Sequence, residues 1–329
     1  MPRERVLLSG ASGFVGHQLE PVLRAAGYDV LCGSRDPRRA AARFPERAWA
    51  HLDLEDPPSV ARAMRGCTAA YYLVHSISAR RDYPEREARE AETFAREAGA
   101  QALRRVVYLG GVAPSGPASR HLRSRLRTGE ILRASAPSCV ELRAAMIIGE
   151  GSASWEMVRG LAARLPAMIL PKWLRNRSAP VAIDDVLFAL RRALELDLAG
   201  ERSLWLDVPG PEEMTHEQLL RRVAARLGHR PPMLPVPLLT PTLSSYWVAL
   251  VTDVSLGMAR ELVSGLQSDL IPTGESIWDR LGDHTPMSLE RAVGRALDAR
   301  AASKEEVTHR RGAARRDLGD APIRRPARP

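Results

Sequence analysis

Lysine is almost missing from this chain: Lys172 and Lys304 are the two that occur among 48 basic residues, and all the others are arginine. Chemistry that needs a titratable lysine therefore has two candidate positions. Cysteine is nearly as scarce. Cys32, Cys67 and Cys139 are scattered without metal-ligand spacing, and they read as reduced, mostly buried thiols of a cytoplasmic protein. No run of about 18 apolar residues occurs, which excludes a spanning helix. The opening Met1-Pro2-Arg3-Glu4-Arg5 lacks the apolar core and small-residue cleavage site of a signal peptide. His17, His216, His229 and His284 have no partners at metal spacing, so no metal site and no role is assigned to them.

What is present is a substantial apolar fraction, 45% of 329 residues, enough for one large domain or one domain with an appendage. The net charge of +9 is unevenly placed. From Arg300 onward nine basic residues face four acidic ones, so this tail supplies more than half of the excess. The body is only mildly basic, and specific nucleic-acid binding is not expected. Residues 300–329 are poor in apolar side chains and read as a disordered basic tail.

The first 150 residues alternate short apolar runs with helical stretches. Val6–Leu8, Val30–Cys32, Ala48–Leu52, Ala69–Val74, Arg105–Leu109 and Cys139–Leu142 read as strands. Helical patterns lie at about Phe14–Ala26, Ser59–Arg65, Glu85–Ala98 and Ser119–Ala134. This predicts an α/β fold, a Rossmann-like doubly wound parallel sheet over 1–150. A small, mostly helical substrate-side subdomain follows over 151–299, interleaved with that core. Within it Ser203–Val208 reads as a strand. Thr215–Leu227 reads as a helix with Thr215 as N-cap, Gln218 completing a capping box and Gly228 as the stop.

Gly10-Ala11-Ser12-Gly13-Phe14-Val15-Gly16 follows the first strand and opens the first helix. Gly10 permits a tight turn, Gly13 a close approach of backbone to a diphosphate, and Gly16 close packing of helix on sheet. The helix N-terminus offers amides to the diphosphate. The second strand ends in Ser34-Arg35-Asp36, about 20 residues beyond the loop, where the adenosine ribose is read. Ser34 and Arg35, with Arg38 and Arg39 following, favour a 2′-phosphate and hence NADP(H), with NAD(H) still open. A slight shift of register would instead aim Asp36 at the ribose, and Arg35 would then be a solvated arginine. Asp53 can accept from the adenine amino group while Leu54 packs on the ring; Asp53 as a helix N-cap is the competing reading.

These residues resemble the extended and atypical short-chain dehydrogenase/reductases, through GASGFVG at 10–16, SRDP at 34–37, DL at 53–54 and VVYLGGV at 106–112. More narrowly, YYLVHS at 71–76, HLRSRLRTGEILR at 121–133 and PKWLRNRSAPVAIDDV at 171–186 resemble atypical bacterial NAD(P)H-binding proteins of the NmrA-like and NAD-dependent epimerase/dehydratase-like kind. The likeness covers about residues 5–298, and the basic tail stands where such proteins carry an extra domain. Active members of the superfamily use a serine after the fifth strand and a Tyr-x-x-x-Lys pair on the next helix. Here the serine position reads Gly110-Gly111, and His121 and Arg125 hold the places of the tyrosine and lysine.

Residues four apart share a helix face, so His121 and Arg125 can act together. A histidine with an ordinary pKa near 6.5 is a general-acid candidate needing no lysine, while Arg125 can hold ribose hydroxyls but cannot shuttle a proton. The alternative is that both belong to an exposed arginine-rich face with Arg120, Arg123 and Arg127. His75, with Ser76 beside it, ends the fourth strand, where open α/β sheets bind ligands; Leu73 and Val74 should line the nicotinamide-side ribose. A loop-bonded structural histidine is the competing reading. Arg143 reads equally as an anchor for the segment entering the substrate region or as half of an ion pair.

On the substrate side, Trp155, Met157, Met168 and Trp173 favour a bulky apolar molecule, with Arg175 and Arg177 available to face an anion; core packing explains the same Met and Trp residues. The expected function is an NADP(H)-dependent oxidoreductase acting by hydride transfer on an apolar carbonyl, enone or quinone-like small molecule. The missing pair motivates a second expectation, a catalytically silent NAD(P)H-binding sensor or assembly protein. A third is peripheral contact with membrane or polyanion through the tail and the helices near Tyr246-Trp247. A monomer or homodimer fits all three.

Overall fold

The structure, a computed structural model, describes residues 3–75, 82–164, 168–235, 240–252 and 254–319, giving the backbone alone at 168–170, 233–235, 241, 304 and 306–319. Six strands come from the first half: β1 (Arg5–Leu8), β2 (Asp29–Ser34), β3 (Ala48–His51), β4 (Ala69–Tyr72), β5 (Arg105–Gly111) and β6 (Cys139–Ala144). The second half adds β7 (Ile147–Ile148), β8 (Met168–Leu170), β9 (Arg177–Ser178), β10 (Val181–Ala182), β11 (Ser203–Asp207), β12 (Met214–Thr215) and β13 (Met233–Pro235). Seven of these form one sheet in the order β11-β6-β5-β4-β1-β2-β3. Every neighbouring pair in it is parallel. The remaining six form short ladders, β7 with β10, β9 with β12 and β8 with β13.

Alternation along each strand builds two cores, because successive side chains leave opposite faces of a sheet. Val6, Leu8, Tyr71, Val107 and Leu109 face one side and pack with residues of α1 (Phe14–Ala25). Leu7, Ala70, Tyr72, Val106 and Tyr108 face the other. With both faces covered, the middles of β1, β4 and β5 are apolar or aromatic. The second face is covered by α3 (Pro57–Met64), α4 (Tyr83–Ala100) and α5 (Arg120–Ser135), whose side chains include Phe94, Ile131 and Leu132. Between β2 and β3 lies α2 (Pro37–Arg43), which apolar periodicity does not announce because none of its residues is buried. Its signals are Asp36, whose Oδ1 accepts from the Arg39 amide at 3.0 Å, and Pro37 in the first turn.

A third core lies in the second half, among α6 (Ala153–Arg164), α7 (Ile183–Ala193), α8 (His216–Arg226), α9 (Pro241–Val251), α10 (Leu256–Gly265), α11 (Ile277–Leu281) and α12 (Leu289–Gly319). Its buried residues include Met146, Trp155, Trp173, Leu219 and Val293. The expected capping box is present: Thr215 Oγ1 accepts from the Gln218 amide at 3.1 Å and Gln218 Oε1 from the Thr215 amide at 2.8 Å. α7 and α11 differ in allegiance, since Val186, Ala189, Leu190 and Ile277 join the sheet core with α1.

The last helix runs on to Gly319, whereas the composition predicts disorder from residue 300. Alanine and arginine are strong helix formers, and that local preference outweighs the shortage of apolar groups. Arg300 is itself anchored, its Nη1 lying 3.3 Å from Glu150 Oε1 and 2.8 Å from Glu156 Oε2. Residues 320–329 lie outside the described residues. Among the described residues no helix is long and apolar enough to cross a membrane. α9 leaves Leu243, Tyr246 and Leu250 exposed.

One charge is buried completely within the sheet. Glu141 on β6 has no solvent exposure and pairs with Arg133 at 2.7 Å and Arg143 at 2.8 Å. The Arg143 guanidinium also lies 4.0 Å above the Trp205 ring. Of the two readings of Arg143, the structure shows the ion pair.

Candidate active site

The strand order reverses between β1 and β4, and the loop from β1 into α1 crosses that point. Gly10 adopts φ +70°, where a β-carbon would also stand 2.5 Å from the Leu73 carbonyl oxygen. Glycine is the residue that tolerates both conditions. The buried Ser9 hydroxyl donates to the Tyr71 carbonyl at 2.7 Å and accepts from the Leu73 amide at 3.2 Å. Loop and β4 terminus are thereby fastened together. Ala11 is fully buried, and Gly16 is buried under α1, where a side chain would overlap the Gly10 carbonyl. α1 starts at Gly13 with no side-chain cap and no acid in its first turn. Its first amides therefore remain for an anionic ligand. Val15 turns inward and packs on the sheet core.

A groove of about 490 Å³ opens over the ends of β1 to β4. Gly10, Ser12, Ser34, Arg35, Asp53, Leu54, Val74 and His75 line it, so most of the cofactor residues expected from sequence meet in one place. Sequence reading missed Arg43 and Phe44 from α2 and its end, and Arg86 and Glu90 from α4, which line the same groove. They carry no motif, and only folding brings them there. Asp36 also lines the groove, but its Oδ1 caps α2, and its amide donates to Ser34 Oγ at 3.1 Å. Asp53 does not cap α3, whose N-cap is Asp56; its Oδ1 instead accepts from the Glu55 amide at 3.1 Å.

His75, His121 and Arg125 converge where β5 ends. Arg125 Nη2 donates to the Leu109 carbonyl at 2.8 Å, and the Tyr108 hydroxyl donates to the Arg125 carbonyl at 2.9 Å. The His75 ring lies 6.1 Å from that of Tyr108. Gly110 and Gly111 make room for this cluster. A β-carbon at Gly111 would meet Arg125 Nε at 3.4 Å, and one at Gly110 would meet Glu141 Oε1 at 2.9 Å. At Gly110 a side chain would crowd Glu141 and Tyr108, whereas at Gly111 a β-carbon would stand in ordinary contact. Ser76 lies outside the described residues.

The environment corrects the expectation that His121 is a general acid of ordinary pKa. Burial, and then the Arg125 charge, pull it down to about 3. Its Nδ1 is buried without a hydrogen-bond partner. His75 is held well below the usual histidine range by burial, Arg125 and His121, against a hydrogen bond to Leu109 that works the other way. Both rings are neutral near pH 7, and the Arg125 guanidinium offers donors only. The cluster can donate hydrogen bonds and present a fixed cation, but no imidazolium is available in it at neutral pH.

Gly110, Gly111, His121 and Arg125 form one side of a separate cavity of about 260 Å³. Phe14, Met146, Met157, Leu161, Trp173 and Leu262 are among its apolar walls. Of the expected substrate residues, Met157 and Trp173 line this cavity, whereas Trp155 is packed in the core with no exposure. Arg175 and Arg177 point elsewhere: both are exposed, and Arg177 pairs with Glu213 at 2.8 Å. The Met168 side chain lies outside the described part.

His216 also lines the cavity, unforeseen from sequence, and burial pulls its pKa down to about 4. The unfolded chain binds this proton below pH 6.5, the folded chain only near 4, so stability falls as pH drops through that window. Between pH 7 and 5 the loss from His216 is about 2 kcal/mol. Urea midpoints should fall over that range, and His216→Phe should flatten the fall by a comparable amount; an unchanged slope would show that His216 is solvated.

Residues 6–137 match the NAD dependent epimerase/dehydratase family. A 3-diazoavenalumate denitrifying reductase from Streptomyces sp. is 26% identical, the match covering 78% of this chain and 92% of that protein. Among solved structures, Citrobacter sp. triphenylmethane reductase complexed with NADP(H) superposes with a TM-score of 0.69 at 14% identity, covering 89% of this chain and 99% of that one. An NADPH-dependent quinone oxidoreductase from Escherichia coli, complexed with NADPH, gives 0.68 at 17% identity, with 88% and 98% covered. The first part of the chain thus matches the NAD dependent epimerase/dehydratase family, and the fold as a whole is shared with these two reductase structures.

Proposed function

We propose that this protein is an NADP(H)-dependent oxidoreductase that transfers hydride to an apolar carbonyl, enone or quinone-like acceptor. The observation that carries this reading is the meeting of an arginine-lined nucleotide groove and an apolar cavity at His75, His121 and Arg125. The groove suits a dinucleotide: uncapped amides at the start of α1 take the diphosphate, and Asp53 and Leu54 take the adenine. Ser34, Arg35 and Arg39 face the 2′-phosphate. Asp36 lines the same part of the groove, but its Oδ1 is engaged in capping α2, and the arginines around it outnumber it. Similar structures hold NADP(H) in two cases and NAD in another, so the preference rests on Ser34, Arg35 and Arg39.

The nicotinamide supplies the hydride when it is bound. The chain's part is to hold and polarise the acceptor. Arg125 and the N–H groups of neutral His75 and His121 stand where negative charge develops on an acceptor oxygen, the role that a preorganised donor set plays in other sites. Phe14, Met157 and Trp173 exclude water around it. The relatives named as reductases of triphenylmethane, quinone and diazoavenalumate support a bulky aromatic acceptor.

A second reading, a nucleotide-binding sensor without turnover, is favoured by one feature: none of the three converging residues titrates near neutrality. Single-turnover absorbance at the reduced nicotinamide band, with a panel of quinones and ketones, separates the two. Oxidation is the expected result; tight NADPH binding with no oxidation across the panel assigns the sensor role. Arg35→Asp should weaken NADPH about tenfold or more, as loss of a charge-assisted contact does, and NADH far less. Equal losses for both nucleotides would refute the NADP(H) preference.

A further inference from the structure

The apolar cavity has a second polar wall, away from the His75–His121–Arg125 cluster. It is made by the ladder of β9 and β12. Ser178 is 1% exposed and His216 is 3% exposed, and both line the cavity. Ser178 Oγ and His216 Nε2 are buried with no hydrogen-bond partner. Buried polar atoms are normally satisfied, because leaving them bare forfeits their hydration. Two such atoms facing one cavity form an unfilled complement.

The local structure explains why they lie side by side. Met214 pairs with Ser178 in antiparallel register, and the His216 amide donates to the Asn176 carbonyl at 3.1 Å. Ser178 and His216 therefore project from the same side of the ladder, one step apart. The ladder is itself tied down: the Arg177 amide donates to Asp269 Oδ1 at 2.7 Å, and Asn176 Nδ2 to the Leu266 carbonyl at 2.8 Å. The neighbouring Trp173 Nε1 is engaged with Ser244 Oγ at 3.3 Å and offers nothing to a ligand.

We propose that this wall recognises a hydroxyl group on an otherwise apolar, aromatic acceptor, held between His216 Nε2 and Ser178 Oγ. The proposal rests on the reading that the cavity takes the acceptor. A hydroxyl is the group that satisfies the pair whichever nitrogen of His216 carries the proton. A bare Nε2 accepts the hydroxyl proton while Ser178 donates; a protonated Nε2 donates while Ser178 accepts. A carboxylate fits poorly, because the charge acting on His216 is that of the acid Asp269. The same pair makes the enzyme choose one orientation of a long acceptor, with its electrophilic end toward Arg125 and its hydroxyl toward β9 and β12.

The test is calorimetric titration of the full chain, without nucleotide, with 2-naphthol and with 2-methylnaphthalene, which replaces the hydroxyl by a methyl group. 2-Naphthol should bind about tenfold more tightly, the worth of one or two net hydrogen bonds. Ser178→Ala and His216→Phe should each reduce the preference severalfold, the double variant should erase it, and His216→Gln should restore part of it. The ¹⁵N resonance of His216 Nε2 should move with 2-naphthol and stay still with 2-methylnaphthalene. Equal affinities, binding of neither probe, or a preference that survives the double variant would overturn the proposal and leave the two polar atoms to internal water only. Because no nucleotide is present, failure here leaves NADPH oxidation standing, and failure to oxidise NADPH leaves the naphthol preference standing.

Discussion

Replacing Gly10 with alanine is expected to abolish pyridine-nucleotide binding and to cost on the order of 1–3 kcal/mol of stability. The new β-carbon would have to share space with the Leu73 carbonyl, 2.5 Å away, at a backbone φ of +70°. Both routes of relief damage the groove. Rotating φ to negative values moves the α1 amides off the diphosphate position. Pushing Leu73 away breaks the clasp through Ser9 and shifts Val74 and His75, which line the same groove. Calorimetric titration with NADPH, beside urea unfolding of the same sample, checks both parts. Undiminished affinity in a stably folded variant would move the nucleotide elsewhere.

Glu141→Leu is expected to cost about 3–5 kcal/mol, because it removes the fully buried partner of two arginines, of which Arg143 is itself buried. Arg143 is 7% exposed and held between the Glu141 carboxylate and Trp205. Losing the carboxylate strands that charge inside the sheet, and Arg133 loses its 2.7 Å contact as well. The urea midpoint should fall with an unchanged denaturant slope. A midpoint that stays put would mean that both guanidinium groups reach solvent. Glu141 lines neither the groove nor the cavity itself, but it packs behind Gly110, which does line the cavity.

The sheet was legible because a strand buried on both faces must be a short apolar run, and β1, β4, β5 and β6 are such runs. The glycine loop was legible because its chemistry is local: the turn, the helix start and the anion site lie within seven consecutive residues. α2 was not read because its seven residues bury nothing, although Asp36 and Pro37 mark its start. Beyond residue 300, α12 continues to Gly319 because alanine and arginine favour a helix, a preference that the shortage of apolar groups does not reveal. His121 and Arg125 were read as a pair from helix spacing alone, and the structure does bring them to one place with His75. What spacing could not convey was dielectric environment, which removes the proton that made His121 attractive as an acid. His216 was invisible for the same reason: the capping box fixed its helix, but only the packing of β9, α6 and α10 around it makes it a cavity residue. His284, also given no role, stacks 4.2 Å from Phe188 and meets Asp185 Oδ1 at 2.8 Å, a structural pairing no sequence pattern announces.

The recognisable family segment ends at residue 137, yet the sheet does not close there. Its border strand, β11, arrives from residues 203–207 and lies on β6 in register from Ser203–Cys139 to Asp207–Arg143. α7, placed earlier in the chain than β11, packs back on α1. A crossover at residue 137 or 150 in a chimera would therefore strip β6 of its neighbour and leave an adhesive, hydrophobic seam. Recombination between relatives that aims to exchange acceptor preference has to carry β6, α7 and β11 with the nucleotide half and swap only the intervening loops and the bundle beyond. In this chain the heritable unit of specificity is a set of insertions threaded through the scaffold, not a cassette at its end.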